Sequence, residues 1–294
     1  MIPLVLTALL VLVLAWRVLA RRSVERSAAA RLPVGPDGII VGAGPIDLPA
    51  DSPVGVLLLH GFGDTPQTLT SLAVDLHARG YGVYAPLLPG HGRTLRDFRA
   101  SGEREWTDAA RAALDTMRQR YERVALVGLS MGGALAATLA AEYPDTPVVV
   151  LLAPYLVPPR QIRLVARSAS LLGALTPYLP SRNGRSILDP EERRKALGYG
   201  ATTPRLIADL VRVADRAYAA LPRVTAPTLY VQSRDDNRIS ADGAARAFAA
   251  VGAADKRLEW LTGAGHVITV DYGWPHVVAS VGAWIDRVLR SRAG

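Results

Sequence analysis

Apolar and polar positions along the chain predict a strand and helix alternation that is broken once. Ile2 to Ala20 comes first and is apolar almost throughout, with Arg17 its only charge. At about 1.5 Å per residue a helix of that length reaches roughly 28 Å, enough to cross a bilayer with Arg17 snorkelling and Trp16 at the interface. The positive residues follow the run instead of preceding it, which predicts a single N-terminal membrane anchor over 1–22 and a catalytic domain in the cytoplasm. The rival expectation is a secreted chain, freed by cleavage near Ala28-Ala29-Ala30. Residues 23–37 turn to Ala, Arg, Pro and Gly and read as a linker.

From residue 38 the periodicity is that of a layered α/β domain. Ile39-Ile40-Val41 reads as an edge strand, and Val54 to His60 as a central strand buried on both faces. A helix over Gln67 to Arg79 carries Leu69, Leu72, Ala73 and Leu76 on one face, and Tyr81 to Pro86 is the next strand. After the turn-rich Pro89 to Thr94, a helix from Glu105 to Tyr121 presents Ala110, Ala113, Leu114, Met117 and Tyr121. The apolar strand Val124 to Val127 runs into Gly128-Leu129-Ser130-Met131-Gly132 and out into an Ala-rich helix over 131–142, followed by a strand at Pro147 to Ala153. Between 154 and 222 no strand is evident, only prolines and short helical patterns, a stretch too long for an ordinary connection. It predicts a helical cap over 154–222, inserted into a core of 38–153 and 223–294. The core resumes with strands Thr228 to Gln232 and Arg257 to Leu261, a helix near Asp242 to Val251, and a closing helix from Pro275 to Arg290. The alternation predicts a mostly parallel sheet with helices on both faces and sites at the carboxyl ends of the strands.

Composition narrows the function. The formal charge of +8 is carried almost entirely by arginine, scattered among acids through the body of the chain, so no nucleic-acid face is predicted. A cluster at Arg17, Arg21, Arg22, Arg26 and Arg31, diluted only by Glu25, reads as membrane-proximal. Without cysteine there is no disulfide framework and no thiolate metal site, and no histidine spacing resembles a zinc ligand set.

The chemistry centres on Ser130. A strand that enters Gly-x-Ser-x-Gly and leaves as a helix displays the serine at a strained turn beside unpaired helix N–H groups. A serine hydroxyl needs a general base, and the base needs an orienting acid. Downstream, two successive strands end in Ser233-Arg234-Asp235-Asp236 and in Gly263-Ala264-Gly265-His266, in the chain order Ser, Asp, His. Asp236 is favoured over Asp235 because Ile239, an apolar residue, follows it where the loop is tucked down. Oxyanion donors are expected from the main-chain N–H groups of Met131, next after the serine, and of Phe62, next after His60-Gly61. His60 reads as a loop brace and His91 as part of a turn.

As an ordered set, Leu57 to Gly63, Pro89-Gly90-His91-Gly92, Gly128 to Gly133, Gln232 to Asp236 and Gly265 to Asp271 resemble an α/β-hydrolase of the bacterial carboxylesterase and monoacylglycerol-lipase type. The resemblance covers about residues 54 to 290 and implies a Ser130, Asp236, His266 triad, an oxyanion hole at Phe62 and Met131, a small helical cap and no cofactor. The expected activity is hydrolysis of a lipidic carboxylic ester, a monoacylglycerol or medium-chain acyl ester, through an acyl-serine. An acyltransferase or thioesterase on the same triad, and a non-catalytic membrane-tethered binding protein, are the alternatives.

Overall fold

The computed structural model describes residues 2–181 and 186–290, and of these the side chains of Thr7 and of Val11 to Leu289. In chain order the elements are α1 (Ile2–Arg31), β1 (Ile46–Leu48), β2 (Val54–Leu59), α2 (Thr70–Ala78), β3 (Gly82–Ala85), α3 (Leu95–Ala100), α4 (Glu103–Arg120), β4 (Arg123–Leu129), α5 (Met131–Glu142), β5 (Val149–Leu152), α6 (Arg160–Arg167), α7 (Ala169–Leu175), β6 (Leu179–Pro180), α8 (Pro190–Lys195), β7 (Ala201–Thr202), α9 (Pro204–Ala220), β8 (Thr228–Ser233), α10 (Ala241–Ala250), β9 (Lys256–Leu261) and α11 (Trp274–Arg290).

Seven strands form one sheet in the order β1-β3-β2-β4-β5-β8-β9, parallel except for β1 against β3. Its inner strands are apolar on both faces because both are covered. One face sets Leu57, Leu126, Leu151 and Tyr230 against α4, α5 and α10, and the other sets Val56, Val127, Val150 and Val231 against α2 and α11. Helix α5 is apolar all round because α9 closes over its outer side. The chain passes from β2 out to β3 and back across to β4, so the carboxyl ends of β2 and β4 flank the crevice where the strand order reverses.

Several local expectations change. Ile39-Ile40-Val41 is not a sheet strand: Ile40 N–H donates to Gly92 O and Val41 N–H to Pro33 O, loop to loop, while the edge strand is Ile46–Leu48. The 154–222 stretch does contain strands, since β6 and β7 pair antiparallel with Leu179 opposite Thr202. Residues 23–37, read as a linker, stay helical through Arg31, and Ala28 and Leu32 are buried against the domain one helical turn apart. Tyr178 Oη donates to Glu25 at 2.8 Å and Arg31 Nη2 to Gly198 O at 2.8 Å, tying this half of α1 to the 154–222 stretch. Among the described residues no helix is long and apolar enough to cross a membrane. Of the segment expected to anchor the chain, the side chains of 2–6 and 8–10 lie outside the described residues.

The 154–222 stretch is clamped to the end of the sheet by one carboxyl group. Asp271 is fully buried and its two oxygens accept four backbone N–H groups: Leu188 (2.7 Å), Asp189 (2.8 Å), Gly265 (2.6 Å) and Tyr272 (2.8 Å). Ser186 O accepts the N–H groups of His266 and Val267 at 2.8 and 3.0 Å, so residues 186–189 lie across the turn that carries His266. Buried N–H groups without acceptors are costly. Asp271→Ala is expected to lower unfolding stability by at least about 3 kcal/mol, read from the urea midpoint; a wild-type midpoint contradicts the clamp.

Candidate active site

The β4 to α5 crossing is tight enough to admit only glycine on either side of the serine. A Cβ on Gly132 would overlap Leu59 O and His60 O at the end of β2, and one on Gly128 would overlap the Gly132 carbonyl. Between them Ser130 has φ 55° and ψ −116°, a conformation that side chains other than glycine rarely adopt. The backbone holds it there: Ser130 N–H donates to Leu152 O at 2.9 Å, and its carbonyl accepts Tyr155 N–H at 2.9 Å and Ala134 N–H at 3.1 Å. The strain lifts the side chain out of the strand end and toward the neighbouring loops.

Two and three strands away, the ends of β8 and β9 deliver the partners. His266 Nε2 lies 2.7 Å from Ser130 Oγ, and His266 Nδ1 lies 2.7 Å from Asp236 Oδ2. Asp236 also accepts Gln232 Nε2 at 2.7 Å on Oδ2, and the N–H groups of Arg238 (2.7 Å) and Ile239 (3.0 Å) on Oδ1. Burial pushes this carboxyl up, but the charge and hydrogen bond of His266 and the two N–H groups outweigh it and leave it below its ordinary value. A carboxylate so held keeps Nδ1 of the imidazole protonated and Nε2 free to take a proton from the serine. Asp235 does not join them. Its Oδ2 accepts Gly263 N–H at 2.7 Å and its own N–H donates to Ser233 Oγ, which in turn donates to Ala264 O, so it braces the His266 turn from outside.

The His60-Gly61-Phe62 loop meets the serine from the β2 side, where a Cβ on Gly61 would stand 3.4 Å from Ser130 Cβ. His60 Nδ1–H donates to Gly61 O at 2.9 Å and Nε2 accepts Leu88 N–H at 3.1 Å, a neutral tautomer with both nitrogens used. Burial lowers it to about 4, so it stays neutral and acts as the brace that its position suggests. His91 donates to Pro89 O at 3.1 Å, and its ring, with those of Phe98 and Trp106, surrounds the Phe62 ring at 5.1 to 6.3 Å between centroids. The ring of Phe62 is thereby anchored in an aromatic cluster that fixes its main chain. Among the described residues, neither the Phe62 nor the Met131 N–H donates to a protein acceptor.

Three further residues belong to the site without having been singled out in the sequence: Gln232, Ser186 and Asp64. Gln232 and Ser186 act through Asp236 and the His266 turn, as described above. Asp64 is half-buried; loss of water pushes its carboxyl up to about 6, against hydrogen bonds from Thr68 Oγ1 (2.7 Å) and the N–H groups of Thr65 and Gly61 and the charge of His266. An acid two residues after Phe62 was the available signal. Among the described residues no cluster of His, Asp or Glu is disposed to hold a metal ion.

Comparison with known proteins gives this geometry a setting. A family model described as serine aminopeptidase, S33, matches residues 52–272. The thermostable monoacylglycerol lipase of Bacillus sp. (strain H-257) is 30% identical over 228 residues, covering 78% of this chain and 88% of that enzyme. The carboxylesterase of Bacillus subtilis (strain 168) is 28% identical over 225 residues, or 74% of this chain and 85% of that one. Among solved structures, a metagenome-derived lipolytic enzyme of the LipS and LipT pair superposes with a TM-score of 0.79 at 29% identity, over 85% of this chain and 99% of the other. The matched span runs from the strand before the His60 loop to the helix-side end of the His266 turn: the chain belongs to the serine aminopeptidase S33 family and has the α/β-hydrolase fold.

Proposed function

We propose that this chain hydrolyses carboxylic esters with a lipidic acyl group, a monoacylglycerol or medium-chain ester, through an acyl-Ser130 intermediate. The observation that carries the reading is the unbroken hydrogen-bonded line from Ser130 Oγ through His266 to Asp236. Ser130 Oγ attacks the ester carbonyl carbon as its proton passes to His266 Nε2. Negative charge gathers on the carbonyl oxygen, where the N–H groups of Phe62 and Met131 and the start of α5 stabilise it. Collapse breaks the ester C–O bond, and the leaving alcohol takes the proton from His266. Water then attacks the acyl-serine with His266 as base, releasing the acid and restoring the Ser130 hydroxyl. Residues 154–222 act as a cap that determines which acyl chain reaches the serine.

The lipidic substrate and a membrane location go together. The names of the two Bacillus relatives support ester hydrolysis, and the apolar character of α1 supports seating at a bilayer, as a single N-terminal anchor with the catalytic domain in the cytoplasm. Val11, Leu12, Leu14, Trp16, Val18 and Leu19 are all exposed on α1. Among the described residues none covers them.

A chain-length series of nitrophenyl esters and monoacylglycerols tests the substrate class: turnover is expected to peak at medium or long acyl chains, and Ser130→Ala to lose at least about 10⁴-fold in kcat. Equal rates for wild type and Ser130→Ala sink the proposal. Asp236→Asn is expected to cost about 10³- to 10⁴-fold and Asp235→Asn less than about tenfold; the reverse order assigns the acid to Asp235. For pH, the raised carboxyl of Asp64 means that the folded state is favoured while it is neutral, and that this contribution is lost as pH rises through about 6. The pH profile of the unfolding midpoint is expected to be flatter around that value in Asp64→Asn; a folded variant with the wild-type profile contradicts the raised carboxyl.

A further inference from the structure

An open cavity of about 680 Å³ lies away from Ser130, between α1, α3, the end of α7 and the start of α9. Five arginines line it: Arg17 and Arg21 from α1, Arg96 and Arg99 from α3, and Arg205 from α9. No carboxylate is among its lining residues. The nearest acids are engaged at its edge: Glu25 stands 3.9 Å from Arg21 Nε and accepts Tyr178 Oη, while Asp209 pairs with Arg205 Nη1 at 2.8 Å. Asp97 of α3 is taken up by the N-terminal cap of that helix. Among the described residues Arg17, Arg96 and Arg99 have no ion-pair partner, and Arg17 Nη1 and Arg21 Nε are buried with no hydrogen-bond acceptor.

Arg205 is compensated by Asp209 and donates to Arg99 O and Ser101 O, but guanidinium groups do not shed their charge when crowded, so Arg17, Arg96 and Arg99, which have no carboxylate partner, repel each other until an anion enters. Buried donors without acceptors add to the demand, since each forgoes a hydrogen bond that water or a ligand oxygen would supply. Several guanidinium forks converging on one space match the oxygens of a phosphate group. The cavity is also flanked by uncovered apolar surface. On α1 this is Leu14, Val18 and Leu19 with Val11, Leu12 and Val13, and on α7, which contributes Gly173 to the wall, it is Leu171 and Leu175. A soluble anion uses only the arginines, whereas an amphiphile uses both.

We propose that this cavity binds the phosphate headgroup of an anionic phospholipid, whose acyl chains lie along the exposed leucines of α1 and α7. The site rests on the reading of α1 as a membrane-seated helix and is independent of the Ser130 chemistry. It gives that helix a defined depth: the phosphate plane meets α1 at Arg17 and Arg21, and the 154–222 stretch rests on the headgroups beside it. Because Arg96, Arg99 and Arg205 come from the folded domain, the lipid links α1 to the domain.

The test uses the full chain in a neutral maltoside detergent, titrated with dioctanoyl phosphatidylglycerol, dioctanoyl phosphatidylcholine and inorganic phosphate, with Trp fluorescence and the unfolding temperature as readouts. Phosphatidylglycerol is expected to bind at least about tenfold more tightly than phosphatidylcholine, and Arg96→Gln/Arg99→Gln to lose about tenfold or more of that affinity while hydrolysing a soluble nitrophenyl ester at the wild-type rate. Should the double variant not fold, Arg17→Gln, on a different element, carries the same expectation. Equal affinity for the two lipids, or a preference that survives in the folded variant, overturns the proposal. Inorganic phosphate binding as tightly as phosphatidylglycerol also overturns it, by identifying a soluble-anion site. Failure of the α1 reading itself shows separately, as a full chain that does not partition into phosphatidylcholine vesicles.

Discussion

A serine held at φ 55° between two strand ends is the constraint on which the rest of this molecule depends. The conformation is unfavourable for any residue with a side chain, so it persists only because the surroundings over-determine it. Gly128 and Gly132 let the start of α5 approach the end of β2 to within backbone contact, and hydrogen bonds to Leu152, Tyr155 and Ala134 fix the peptide on both sides. The start of α5 is buried on every side, with α9 over its outer face, which leaves its first turn no room to unwind.

The acid and the histidine are held by polar contacts of a different kind. Neither sits on a regular element; both lie in turns just beyond β8 and β9, and turns move unless something fills their hydrogen-bonding capacity. Asp236 is fastened by Gln232 and the N–H groups of its own loop, Asp235 and Ser233 join that loop to the His266 turn, and Asp271 with Ser186 O ties the turn to residues 186–189. Residues 186–189 are therefore part of what positions the imidazole, and substitutions there disturb the His266 turn.

That Ser130, His266 and Asp236 lie together was legible because Ser130 and Asp236 follow buried apolar strands and His266 follows the neighbouring edge strand, and a parallel sheet brings such carboxyl ends together whatever the loops do. That Asp236, and not Asp235, lies against His266 was legible from Ile239, which is buried. Other features had no local signal. Ile46–Leu48, Leu179–Pro180 and Ala201–Thr202 are too short to show a period, and α3 is a six-residue helix inside a turn-rich run. Asp64 and Asp271 are ordinary acids in the sequence; what they do depends on N–H groups and charges that folding brings from elsewhere. The supposed linker was misread because Ala and Arg are good helix formers as well as common in linkers, and burial of Ala28 and Leu32 decides between the two.

The arginines around α1 show the same division between what a chain pattern contains and what packing adds: α1 alone presents a basic cluster after an apolar run, and only the approach of α3 and α9 turns it into a cavity. The central claim, however, is that Ser130 is an activated nucleophile. The most direct measurement is mass-spectrometric mapping after brief exposure to a fluorophosphonate at neutral pH, which adds covalently to a serine only when a base takes its proton. The account predicts a single modified peptide carrying the label on Ser130, with labelling slowed by Asp236→Asn; a wild-type chain that stays unlabelled, or is labelled elsewhere, contradicts it.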